Sequence, residues 1–229
     1  MNSHCTYDTD DWHTICSALF FMSSAHNRRL RRHRAFPTLL SIAEEYEHPS
    51  RFYHNSHHLA EGFRELHRFE KLLEQPLVAH YAWLNHDRVY TADSKLNEVW
   101  SAELAVQDGR KIGLEHCEYL AAKEMILATI THKVPSTEFA HRGDVALMLD
   151  IDLSALGADR ETFIVDGDNI RAEFCGRLSN EAWNAGRAAF ASAMLSREQI
   201  FVTPQYAHLE ERARQNLTWA VKMAEMKAA

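Results

Sequence analysis

The chain is poor in turn-forming residues, with only 8 glycines and 5 prolines in 229 positions. A sandwich or barrel of many short strands needs a turn about every 8–12 residues, so this scarcity argues against such folds and favours helices. Long hydrophobic runs are also lacking. The longest near the start, Ala18 to Met22, falls far short of the roughly 18–20 residues that span a bilayer. The residues before it are acidic, so neither a membrane span nor a secretory signal is expected. The four cysteines, Cys5, Cys16, Cys117 and Cys175, form no C-x-x-C pair. In a chain of this size they read as reduced thiols of a cytoplasmic protein. An excess of positive charge is absent too. The net charge of −7 disfavours general binding to nucleic acid.

What is present in quantity is histidine, 15 residues of it. Imidazole is a common metal ligand and titrates near neutrality, so the placement of these residues matters. The chain is 46% hydrophobic and 25% charged, enough to bury a sizeable core. A single helical domain over 1–229 is expected, with an N-terminal helix and arginine-rich segment over 1–38 and a core over 40–220.

The apolar spacing predicts helices almost throughout. The first runs from Trp12 to about Ala25, before an arginine run from Arg28 to Arg34. Phe36-Pro37 breaks the pattern, and Leu39 to Tyr46 resumes it. A longer helix is predicted from His54 to Glu74, with Leu59, Phe63, Leu66, Phe69 and Leu73 on one stripe. Further helices follow at Val78–His86, Lys95–Gln107, Glu115–His132 and Ala140–Leu156. The last three span Arg160–Leu178, Asn180–Leu195 and Ala207–Glu225. Phe163–Val165 and Ile200–Thr203 are alternative short strands.

Several short blocks carry candidate chemistry. In Arg51-Phe52-Tyr53-His54-Asn55-Ser56-His57-His58, a helix would put Arg51, His54 and His58 on one stripe, suited to a metal and a phosphate. The plainer reading is a polar helix start capped by Asn55 or Ser56. His86-Asp87 closes an apolar helix, where a charged pair is poorly solvated without a partner. Asp150 and Asp152 are embedded in an apolar helix, where a carboxylate must be hydrogen-bonded, neutralised or metal-bound. Two positions apart, they cannot both face one ion. Glu98, on the helix after His86-Asp87, reads as an orienter of a ligand histidine or a general base. Arg171 and Glu173 read as ion pairs to other helices, and Glu210 and Arg214 as a helix-surface pair.

In this order the blocks resemble the HD superfamily of metal-dependent phosphohydrolases, and in their finer spelling one small branch of it. That branch runs R-x-YHN-x-x-H, HD-x-VY, NE-x-SA, AT-x-x-H, D-x-DL-x-x-LG, IR-x-E and E-x-x-AR-x-NL. This chain supplies Arg51 to His58, His86 to Tyr90, Asn97 to Ala102, Ala128 to His132, Asp150 to Gly157, Ile170 to Glu173, and Glu210 with Ala213 to Leu217. The resemblance covers about residues 40–220. It departs at Asn85, where an apolar residue is usual, and leaves the arginine run outside. The HN-x-x-H spelling is also similar to that of cyclic-nucleotide phosphodiesterases.

The resemblance implies an all-α HD-domain bundle with a central metal site. It implies His58, His86, Asp87 and Asp152 as metal ligands and His54 as proton donor. Arg51 is expected to offset phosphate charge, and His132 to hold a second ion or a phosphate oxygen. His57 is expected at the surface or behind the ligands. The mixed N and O set suits Mn, Fe, Co, Ni or Zn, with Mg admissible. The function implied is hydrolysis of a phosphate ester of a small metabolite, a nucleotide by expectation. The alternatives are a catalytically idle metal- or nucleotide-binding module and a phosphodiesterase. A homo-oligomer is compatible, and no membrane partner is expected.

Overall fold

The computed structural model describes residues 8–25, 32–92, 94–135 and 141–228, the side chains of 25, 32–34, 227 and 228 excepted. Among them the regular structure is all helical, with ten α-helices, short 3₁₀ turns and no strand. Contacts divide the chain into two units, Met1–Met148 and Leu149–Ala229, with the boundary inside one helix. No helix among the described residues is long and apolar enough to cross a membrane.

The first unit contains α1 (Thr9–Ala25), α2 (Arg32–Glu44), α3 (Ser56–Arg68), α4 (Pro76–Asn85), α5 (Asn97–Ile112), α6 (His116–Ala128) and the start of α7 (Arg142–Leu153). The axis of this unit is α4. Every residue from Val78 to Asn85 is buried, so the helix has no solvent face and belongs inside. It packs against α1, α2, α3, α5 and α6. Pro76 begins it, where a missing N–H costs nothing. The Asp144 carboxylate of α7 accepts the amides of Glu74 at 2.9 Å and Gln75 at 2.8 Å, just before that first turn. The far end of α4 delivers His86 and Asp87. Gly62 lets α3 approach closely, because a Cβ there would lie 2.0 Å from the Trp83 ring. The Trp83 indole then donates to the Leu59 carbonyl at 2.9 Å.

Two local expectations give way. The helix predicted from His54 starts at Ser56, because the Asn55 side chain accepts the amides of His57 and His58 and caps it there. His54 therefore lies in the turn before α3. Pro37 does not break a helix but sits inside α2. It costs one ladder hydrogen bond, and the burial of Leu39, Ile42 and Ala43 in the same helix offsets that loss. Of the arginine run, 28–31 lie outside the described residues.

The second unit follows with α8 (Arg160–Glu173), α9 (Asn180–Leu195) and α10 (Glu210–Ala228). α9 and α10 pack together, and the 3₁₀ turn Ser154–Gly157 packs on α10 and α8. Phe163–Val165 is helical within α8. Ile200–Thr203 is neither helix nor strand, and carboxylates take up its amides. Glu210 accepts from Ile200 and Phe201. Asp150 accepts from the Val202 and Thr203 amides and from the Thr203 hydroxyl.

Candidate metal centre

The first unit brings His54, His58, His86 and Asp87 around one carboxylate oxygen. His86 is buried at the end of α4, its ring stacked on Trp83 at 4.2 Å between centroids. Its Nδ1 lies 2.7 Å from the Trp83 carbonyl. A carbonyl can only accept, so Nδ1 carries a proton, and Nε2 is the nitrogen that faces the site. His58, the third residue of α3, places its Nε2 3.3 Å from that of His86. Asp87 Oδ2 lies 3.1 Å from His86 Nε2 and 3.7 Å from His58 Nε2. His54 Nε2 stands 4.0 Å from the same oxygen.

These spacings fit a shared ion. Two ligand nitrogens each about 2.0–2.1 Å from a tetrahedral ion lie about 3.4 Å apart. The separations among His58, His86 and Asp87 run from 3.1 to 3.7 Å. His58 and His86 belong to a His/Asp group that could hold a metal ion. The carbonyl behind His86 fixes its tautomer and ring angle, the usual arrangement behind a ligand histidine.

His54 differs from the other two. Its ring stacks on Tyr90 at 4.3 Å and meets Tyr53 edge-on at 4.9 Å. It is half-buried and farther from the carboxylate. Arg51 is turned toward backbone. Its Nη1 donates to the His54 carbonyl at 3.0 Å and the Asp87 carbonyl at 2.8 Å, and its Nη2 to the Arg88 carbonyl at 2.6 Å. The guanidinium thus ties the turn before α3, which carries His54, to the turn after α4, which carries Asp87.

Supporting residues were less visible in the sequence. Asn97, at the start of α5, clamps Thr91 from both sides, accepting its amide at 3.1 Å and donating to its carbonyl at 3.0 Å. Ser101, one turn later, accepts the Val89 amide at 2.9 Å. Their i, i+4 spacing is the signal that identifies a shared task. Arg88 pairs with Glu45 and with Asp108 at 2.6 Å. Burial alone would raise the Asp108 carboxyl, but hydrogen bonds from Lys111 and Arg88 outweigh it and hold the group below its usual range.

The remaining candidates are placed as follows. Glu98 is half-buried on the first turn of α5, and no ion pair among the described residues joins it to the cluster. His132 lies in the turn after α6 with a left-handed φ of 48°. His57 points outward and pairs with the buried Asp11 of α1 at 2.8 Å. Asp152 stands on the last turn of α7, in the second unit. Asp150, two residues earlier, is committed to residues 202 and 203. Burial raises its carboxyl above the usual range despite those hydrogen bonds. Arg171 donates to Asn180 rather than pairing with an acid. Glu210 and Arg214 do form their expected pair, at 2.7 Å. Arg214 also donates to the carbonyls of Leu195, Arg197 and Glu198. No family model, curated protein or solved structure matches the chain.

Proposed function

We propose that the protein is a metal-dependent phosphohydrolase of the HD type, acting on a small phosphorylated metabolite such as a nucleotide. The observation that carries this reading is the convergence of two imidazole nitrogens and a carboxylate oxygen at 3.1–3.7 Å beside a third, more distant imidazole. We assign His58, His86, Asp87 and Asp152 as the donors. Of the two neighbouring aspartates this reading takes Asp152, because Asp150 is already engaged with Thr203. A divalent ion held there supplies Lewis-acid polarisation of a phosphoryl oxygen and a lowered pKa for water.

The residues of the chain do the rest. His54 stands beside the donors without joining them, placed to give a proton to the leaving oxygen, a role suited to imidazole. Asp87 Oδ2 orients the cluster. Arg51 acts as a positioning residue through the carbonyls of His54, Asp87 and Arg88. Glu98 and His132 remain candidates for a supporting role.

The test is a hydrolysis screen over nucleotides and simpler phosphate esters, supplemented in turn with Mn, Co, Ni, Zn and Mg, with free phosphate as the readout. Turnover that needs metal and disappears in His86→Ala/Asp87→Ala supports the reading. Metal binding with no turnover on any substrate moves the assignment to a non-catalytic module. Undiminished metal content in the double variant overturns the donor set.

A further inference from the structure

The second unit holds a guanidinium that faces one carboxylate, Asp168, and makes no hydrogen bond among the described residues. Arg187, on α9, lies across Gly167 of α8. A Cβ at residue 167 would fall 2.4 Å from Nη2 and 2.6 Å from Nη1, so only glycine admits the guanidinium at this point. The ring of Phe163 lies 5.2 Å from its Cζ. Burial lowers the pKa of Arg187, and the one opposing influence is the charge of Asp168. Among the described residues no hydrogen bond or ion pair reaches it. Half-buried and without a hydrogen bond from these residues, the guanidinium has donors left for acceptors supplied from the cleft.

Two cavities that share lining residues lie here, and Arg187 lines the smaller. The smaller, about 70 Å³, is bounded by Arg187, Gly167, Asn184 and Trp219. The larger, about 380 Å³, is bounded by Phe174, Leu178 and Cys175. Asp168, Arg171 and Trp183 line both. The larger volume falls within the roughly 300–1,000 Å³ usual for small-molecule pockets. The charged groups lining the two cavities are two guanidiniums and one carboxylate, a balance of +1. Arg171 donates to Asn180 through Nη2.

We propose that this cleft binds a small monoanionic organic acid, its carboxylate against Arg187 and Arg171 and its apolar body beside Trp183 and Phe174. A planar carboxylate matches the fork of a guanidinium, which can donate two parallel hydrogen bonds to it. The balance of +1 suits one negative charge. The Asp168 carboxylate disfavours a dianion such as a phosphate monoester, so this site is chemically distinct from the metal centre and does not rest on its assignment.

Calorimetric titration of the full chain with naphthoate, uncharged naphthamide and inorganic phosphate tests it. Naphthoate should bind saturably and better than both others. Arg187→Gln should weaken it about tenfold or more, as loss of a charged hydrogen bond implies. Gly167→Ala should weaken it too, since the new methyl displaces the guanidinium while keeping its charge. Arg187→Lys should restore part of the affinity. Circular dichroism on each variant establishes that it is folded, and either folded variant suffices. Absence of saturable naphthoate binding at low-millimolar concentration overturns the proposal. So does preference for phosphate or naphthamide, or affinity unchanged in a folded Arg187→Gln or Gly167→Ala protein.

Discussion

The two units use their buried polar residues for different ends. In the histidine cluster of the first, side chains face side chains, with three imidazoles and a carboxylate gathered around one point. In the second, side chains face backbone. Asp150 and Glu210 hold four consecutive amides, Asn216 donates to the carbonyls of Leu156 and Ala158, and Arg214 reaches three carbonyls. Backbone groups are present at every position, so a residue that satisfies them acts as a local fastener. A cluster of imidazoles whose ring nitrogens face one another gains little for stability and needs another reason to exist. The contrast separates blocks that shape the chain from blocks that equip it for chemistry, although both kinds sit in one family-like pattern.

The comparison can be broken first at the α3–α4 contact. Gly62→Ala places a methyl 2.0 Å from the Trp83 ring. Overpacking a rigid aromatic should cost about 3 kcal/mol or more. Thermal melting should show the loss, and metal content should fall with it because Trp83 supports His86. A stable Gly62→Ala protein with full metal would mean that α3 and α4 are not locked as described.

Next is Asp150→Asn. Exchange of the carboxylate for an amide leaves the amides at 202 and 203 with a poorer acceptor, for about 1–3 kcal/mol of stability. Metal content measured by elemental analysis should be unchanged. Asp152→Asn should do the reverse, with metal affinity lost and melting temperature little altered in the metal-free protein. If Asp150→Asn strips the metal instead, the division of labour between the two aspartates is wrong.

The histidines sharpen the contrast within the first unit. His58→Ala should lose both metal and turnover. His54→Ala should keep metal and lose turnover, by about 100-fold or more if it serves as general acid. Metal lost in His54→Ala would place it among the donors.

The smallest effect concerns the Arg88–Asp108 pair. The folded-state pKa of Asp108 is held below the usual carboxylate value of about 3.9. Its contribution is therefore complete above that value and is lost as pH falls through the depressed folded pKa. Acid unfolding of Asp108→Asn should be less steep in this window than that of the parent. Equal steepness would remove the pair from the acid response.

Much of the fold was legible because helix signals are local. Asn180–Leu195 lies where the spacing placed it, behind the Ser179 cap. The errors also have local causes. Asn55 captured two amides and started α3 after His54, so the stripe of Arg51, His54 and His58 never forms on one helix. Pro37 is tolerated because its neighbours are buried. At the site, His86-Asp87 stood out by ending an apolar helix. The use of Arg51 on three carbonyls was not legible, because those acceptors belong to backbone from two distant segments and backbone leaves no mark in a sequence. The same holds for Asp144, whose partners at 74 and 75 lie some seventy positions away.

His132 keeps a left-handed backbone at φ 48°. Such a conformation costs most side chains with a Cβ roughly 1–2 kcal/mol, asparagine and histidine less than others, and glycine would take the place without strain. Natural drift should thus favour glycine or asparagine here unless the imidazole repays its keep. His132→Gly separates the two demands. A variant that melts higher yet works as well would mark the histidine as an accident of descent. One that melts higher and works worse would show a concession of durability to use.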